Sequence, residues 1–158
     1  ERSAMAGAIL AIFGLWARER AGLVAVTEAN GAMSTAELAI GASAALANKV
    51  WVTQADERVR SIHRTMHGQV RAAGQPFTSG NGEEGMGPGL FASAADNINC
   101  RCGVVATGDQ AFSAEDLAAQ AARHDASLKI IEAITTPAIA ALFQRQQQAV
   151  VAKLRSLP

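Results

Sequence analysis

Hydrophobic and polar positions follow three regimes along this chain: helical, then β-like and punctuated, then helical again. Residues 3 to 32 read as a helix with few breakers. Ile9, Ile12, Phe13, Trp16 and Leu23 form an apolar stripe, and Arg18, Glu19, Arg20 and Glu28 a polar flank. Gly31 is expected to stop this helix. Ser34-Thr35-Ala36-Glu37 has the capping-box pattern, with Ser34 as N-cap and Glu37 at N3, and predicts a second helix to about Ala45.

The middle regime is built from short runs. Lys49-Val50-Trp51-Val52 predicts a strand. Thr53-Gln54-Ala55-Asp56 repeats the capping chemistry and predicts a helix in which Val59, Ile62, His63 and Met66 share one face. Gly68 suits the left-handed position that ends such a helix, and Gln69 to Ala72 would form a second strand. From Gly74 to Gly89 glycines dominate and no hydrophobic period survives, which predicts a long mobile loop. Ala92 to Asn97 fits a short helix, and Cys102 to Ala106 a third strand.

Beyond Gly108 the helical period returns. Ser113-Ala114-Glu115-Asp116 starts one helix, and Thr136-Pro137 reads as the N-cap and N1 of another, with Ile139, Leu142, Phe143, Val150 and Leu154 on one side. The fold class expected is α+β: long N-terminal helices, a small β-sheet with a capped helix between strands, and a C-terminal helical tail. The domain organisation expected is one domain over residues 1–108 and a helical extension over 109–158.

A chain of 158 residues buries about 70% of the surface its unfolded form exposes, enough for a core without staples. Hydrophobic residues at 49% and charged residues at 18% exclude wholesale disorder. Aromatics are only 4%, so an alanine-rich core must rely on close helix packing. The first residue is Glu rather than Met, which reads as a processed product or a fragment of a longer chain. The apolar run from Ala4 to Ala17 is short of the roughly 20 residues that span a bilayer. It also lacks a basic leader, so it reads as a buried or subunit-contacting helix rather than a membrane or signal segment.

The 14 basic and 14 acidic residues cancel, which argues against a protein that binds nucleic acid over its whole surface. One local exception is the group Arg58, Arg60, Arg64 and Arg71 near Lys49. It reads first as a solvated or ion-paired face, and alternatively as a contact for nucleic acid or an acidic partner.

Two cysteines one residue apart do not make a secreted disulfide framework, and a reducing compartment is the simpler assumption. His63 and His67 share a helical face and, with Cys100 and Cys102, offer four donors of the kinds zinc takes. The C-x-C spacing and the separation of more than thirty residues favour the plainer reading. In it His63 is a hydrogen-bonded structural residue, the cysteines are small buried hydrophobes, and no metal or other cofactor is assigned. Cys100 activated by His63 would be a nucleophile pair, but Arg101 falls on the opposite strand face and no carboxylate or amide is evident to orient the imidazole. The zinc-deaminase and phosphate-loop patterns are absent. No catalytic residue is therefore assigned. The mechanical reading instead pairs Asp56 with Arg101 or Arg60, locking the start of the helix to the third strand.

Taken in order, Trp51 with Thr53, Asp56, Arg58, Arg60, His63, Gly68, Phe77 and the tetrapeptide Asn99-Cys100-Arg101-Cys102, preceded by Thr27-Glu28 in the long helix, resemble the Mu F-like family of phage head-morphogenesis proteins. The resemblance spans roughly Ala25 to Ala106. It implies a non-enzymatic structural protein of the virion, a minor capsid component assisting procapsid assembly, DNA packaging or genome delivery. It implies portal or major capsid protein as partners, packaged DNA as a further one, an oligomeric assembly, and no membrane. Synthesis would take place in the cytoplasm of the bacterial host. Many relatives carry a cysteine-containing segment after the Asp, which suggests metal binding in those members; here that segment is Glu57-Arg58-Val59-Arg60. The alternatives carried beside this reading are a nucleic-acid-binding or ejected virion protein using the arginine face, and a thiol enzyme or toxin-related fragment.

Overall fold

The computed structural model describes the backbone of residues 2–155 and the side chains of residues 15–153. Two 42-residue helices, α1 (Arg2–Ser43) and α4 (Ala114–Arg155), flank everything else. Each is about 63 Å long at 1.5 Å per residue. They run antiparallel, because Asn30 meets His124 while Gly22 faces Glu132 and Thr136.

The α1 segment is one helix and not the expected two. Gly31 lies inside it, at a place where the backbone of Gly89 crosses: a Cβ on Gly89 would stand 2.9 Å from Gly31 Cα. The glycine thus serves a close approach rather than a stop. The Ser34–Glu37 capping box does not form either. Ser34 is buried in mid-helix, and Glu37 Oε1 accepts the amide of Ala106 at 2.9 Å. The helix ends at Ser43, and Ala45 beyond it takes the left-handed position (φ 52°) more often given to glycine, with Leu46 N–H donating to Gly41 O.

The buried stripe of α1 also differs from the expected one. Ala17, Ala21, Ala25 and Val26 face inward, whereas Trp16 is 65% exposed and Leu23 40%. Ile9, Ile12, Phe13 and Leu154 lie outside the residues whose side chains are described. Alanines four apart let the two helices approach closely, and Ala121, Leu128 and Ala140 of α4 are buried in turn. In α4 the expected break at Thr136-Pro137 is absent, and Pro137 sits within a continuous helix.

Between the helices lies an antiparallel sheet in the order β2-β1-β5, formed by Val70–Ala72, Asn48–Val52 and Gly103–Thr107. Trp51 pairs with Val104 and Val52 with Gly103. Alternation along β1 aims Val52, beside Gly103, at α4, where a Cβ on Gly103 would stand 2.8 Å from the His124 ring. It aims Lys49 and Trp51 at the opposite side. That side is covered by the glycine-rich segment, which is more ordered than expected: Phe77–Thr78 (β3) and Glu84–Gly85 (β4) form a small hairpin with Phe77 fully buried. The core gathers Trp51, Val59, Met66, Phe77, Phe91, Cys100, Cys102 and Val104, with Leu38 of α1 against it.

The helix expected after Thr53 is much reduced. Residues 53–60 make turns, Ala55 has φ 55°, and the helix α2 covers only Ser61–Arg64, with Arg60 at its N-cap and no side-chain cap. Gly68 does adopt the left-handed conformation (φ 75°). A last short helix, α3 (Ala94–Asn97), is capped by Ser93, whose hydroxyl accepts the Ala95 amide at 3.1 Å.

A buried histidine, aspartate and two cysteines

His63, on α2, is the centre of the candidate site. Its Nε2 lies 3.3 Å from Asp96 Oδ1, and its Nδ1 lies 3.6 Å from Cys100 Sγ and 3.8 Å from Cys102 Sγ. All four residues are buried, with Asp96 and His63 at 0% and 1% exposure and the cysteines at 2% each. Asp96 comes from the first turn of α3, and its Oδ2 accepts from Asn81 Nδ2 at 3.3 Å. Ser79 in turn donates to Asn81, so a polar chain runs from the hairpin to the imidazole. The hairpin is held to α2 by Gly80 N–H donating to Ile62 O at 2.9 Å.

Aromatic rings fix the imidazole plane. Phe91 stacks on His63 at 6.1 Å between centroids, and Trp51 meets it edge-on at 5.5 Å. Asn97 pins Phe91 by accepting its amide at 3.0 Å and donating to its carbonyl at 2.6 Å. The Cys100–Cys102 turn is placed by Asn99, which has φ 56° and donates its amide to Thr27 Oγ1 on α1 at 3.0 Å. Thr27 is thereby explained structurally, whereas Glu28 is exposed.

Electrostatics separate the two thiols. The Cys102 thiol donating to Cys100, together with the His63 imidazole, holds Cys100 well below the ordinary thiol range, against the opposing effect of burial. Cys102 is pushed well above that range by Cys100 and by burial. Burial alone would depress the His63 imidazolium, but its contacts with Cys100 and Asp96 outweigh that and raise it.

Asp56 binds neither of its expected partners. It pairs with Arg58 at 2.8 Å near the surface, because the tight turn at Ala55 brings residues 56 and 58 together; Arg58 lowers the Asp56 pKa. Arg101, on the strand face opposite the cysteines, pairs with Glu132 of α4 at 3.3 Å. Arg60 does bridge to the third-strand turn, but by donating to the Ile98 carbonyl. The contact between α2 and the cysteine turn therefore exists and is built from other atoms. His67 is not part of the cluster: it is exposed, and its Nδ1 accepts the Thr53 amide at 3.0 Å. Among the arginines, Arg64 donates to Val59 O and Glu57 O, and Arg71 to Val70 O.

Asp96 and Asn81 escaped the sequence reading. The one available signal was an acid within a short segment following Ser93, which also reads as an exposed N-terminal carboxylate.

A family model described as Phage Mu protein F like protein matches residues 1–105. The chain belongs to this family. The match takes in all of α1 as well as the strand and cysteine motifs, so the long helix is part of the Mu F-like unit. Minor head protein GP7 of Bacillus phage SPP1 is 35% identical over 75 residues, which are 48% of this chain and 24% of that protein. The chain thus spans about a quarter of the length of this relative. No solved structure matches.

Proposed function

We propose that this Mu F-like chain is a static component of the phage head, part of a minor head protein docked at the portal or inner capsid and acting by binding rather than turnover. Family membership carries the reading, and two features of the molecule support it. The cysteine–histidine–aspartate order has the connectivity of a nucleophile triad, yet its members are buried. The cavity beside it holds about 10 Å³, room for about one water and for no substrate. The helix pair also carries large apolar side chains on its outer surface, with Trp16, Ile130 (62%), Ile134 (69%) and Val150 exposed. Apolar surface on long helices of this kind is what assembly covers.

Antibody raised against this chain tests the proposal on gradient-purified heads and procapsids from a lysogen. Labelling at a single vertex, with co-purification of the portal protein, is expected. Its absence from both particle types, with the protein abundant in the soluble lysate, would remove the head role.

A further inference from the structure

We infer that His63 Nδ1, Cys100 Sγ and Cys102 Sγ bind one zinc ion, with a water in the fourth position. The Asp96 carboxylate accepts from Asn81 on one oxygen, so the partner it offers His63 on the other is also an acceptor. In the neutral imidazole that a metal requires, the proton therefore sits on Nε2, and the Nδ1 lone pair faces the sulfurs. A carboxylate behind a histidine in this way is the arrangement that orients metal-binding imidazoles.

A relay from Cys102 through Cys100 to His63 would need only one sulfur at Nδ1, yet both approach it, at 3.6 and 3.8 Å. A single ion bound by all three would account for the convergence. For tetrahedral zinc with bonds of about 2.05 Å to nitrogen and 2.3 Å to sulfur, the nitrogen–sulfur edge is about 3.6 Å. The edges here are 3.6 and 3.8 Å, and the three donor atoms all lie within 4.8 Å of one another. Two thiolates with one imidazole select zinc over magnesium or calcium.

The surroundings fit as well. Trp51 Nε1 is fully buried without a partner in normal hydrogen-bond geometry, next to the Cys102 thiol. A Cys102 thiolate would accept from it. The small cavity lined by Arg60, His63, Asn99, Cys100 and Cys102 has the volume of about one water, which supplies the remaining ligand. Two thiolates neutralise the ion, and Arg60 lines the same cavity. Two protons leave on binding, whether they start on the two thiols or on one thiol and the imidazolium.

The test uses the whole chain, purified without added metal and then titrated with zinc or cobalt. One equivalent of zinc is expected, with thiolate-to-metal charge-transfer and tetrahedral d–d bands in the cobalt form. A mercurial reagent should release one zinc for every two thiols modified. Asp96→Asn should weaken zinc binding by about 10- to 100-fold, and Cys100→Ser or Cys102→Ser by more. The wild-type measurements decide the matter even if a variant fails to fold. Folded wild-type protein that takes up no stoichiometric zinc, or a cobalt form without thiolate bands, overturns the site. So does zinc retained at full stoichiometry by the double serine variant.

Discussion

The amide of Asn99 donates to the hydroxyl of Thr27 at 3.0 Å, across 72 residues of sequence, and so fixes the left-handed turn before Cys100 to the middle of α1. The same hydroxyl donates to Leu23 O at 2.7 Å within its own helix, which orients it as an acceptor toward Asn99. Thr27→Val keeps the shape and removes this link. Because Asn99 is exposed and water can replace the hydroxyl, the expected loss is modest, about 0.5–1 kcal/mol. A melting-temperature drop of roughly 2–4 °C should accompany it. Amide exchange at Asn99 should quicken in the valine variant and stay slow in Thr27→Ser; equal exchange in both would show that the hydroxyl does not hold the turn.

Two glycines with the same backbone conformation should respond differently to alanine. Gly82 (φ 85°) would place a Cβ in open space, whereas at Gly89 (φ 77°) a Cβ would stand 2.9 Å from the Gly31 backbone. Gly82→Ala should cost only the left-handed strain, about 1–2 kcal/mol. Gly89→Ala should cost clearly more, because α1 and the loop must separate to admit the methyl group. Denaturant unfolding of the two variants side by side measures the difference. Equal losses would mean that the crossing of α1 and residue 89 is looser than described.

That crossing also explains which parts of the fold were legible in the chain. The β1 strand, the Gly68 turn and the placement of Asn99-Cys100-Arg101-Cys102 before a strand could be read, because each is set by neighbouring residues. Gly31 and Pro137 were misread as helix boundaries for a common reason: local propensity says stop, and packing along an alanine stripe overrides it. The Asp56 pairing failed because the turn at Ala55 is too short-range a detail for helical spacing to foresee. Within the candidate site His63 and the cysteines were visible as residue types. Asp96 was not, since its burial depends on the hairpin folding back over α3 and α2, a contact set by tertiary structure alone.

Lys49 should give the protein an alkaline rise in stability. Its side chain is buried on β1, donates to Met86 O at 2.8 Å and lies 5.1 Å from the Phe77 ring centroid. Burial lowers its pKa to about 8 from 10.5. The folded state thus releases this proton earlier than the unfolded chain does. Between pH 8 and 10.5 the unfolded state binds more protons, and stability contributed by this group increases with pH. Below pH 8 the penalty of the buried ammonium is fully present, and above 10.5 it is gone. Thiols of the unfolded chain titrate in the same range, so the comparison is wild type against Lys49→Met. The difference in melting temperature between the two, largest near neutral pH in favour of the methionine variant, should shrink as pH rises through this window. A difference independent of pH would contradict the lowered pKa.

Pro137 offers a substitution that should stabilise. It lies in the interior of α4, where it has no amide to give to the Ala133 carbonyl, and its own side chain is exposed. An interior proline costs a helix about 3 kcal/mol relative to alanine, part of which tertiary packing has already absorbed here. Pro137→Ala should therefore raise stability by about 1–2 kcal/mol, read as a shift in the denaturant midpoint at unchanged slope. The neighbouring Thr136 gives the reason to expect a limit. Its hydroxyl is buried without a partner, and its methyl group lies 4.0 Å from where a Cβ on Gly22 would stand, so α1 crosses α4 closely at this point. A less stable alanine variant would contradict this prediction and mean that the proline shapes α4 at that crossing. The sign of the midpoint shift then tells whether packing against Gly22 depends on a straight helix or on a deformed one.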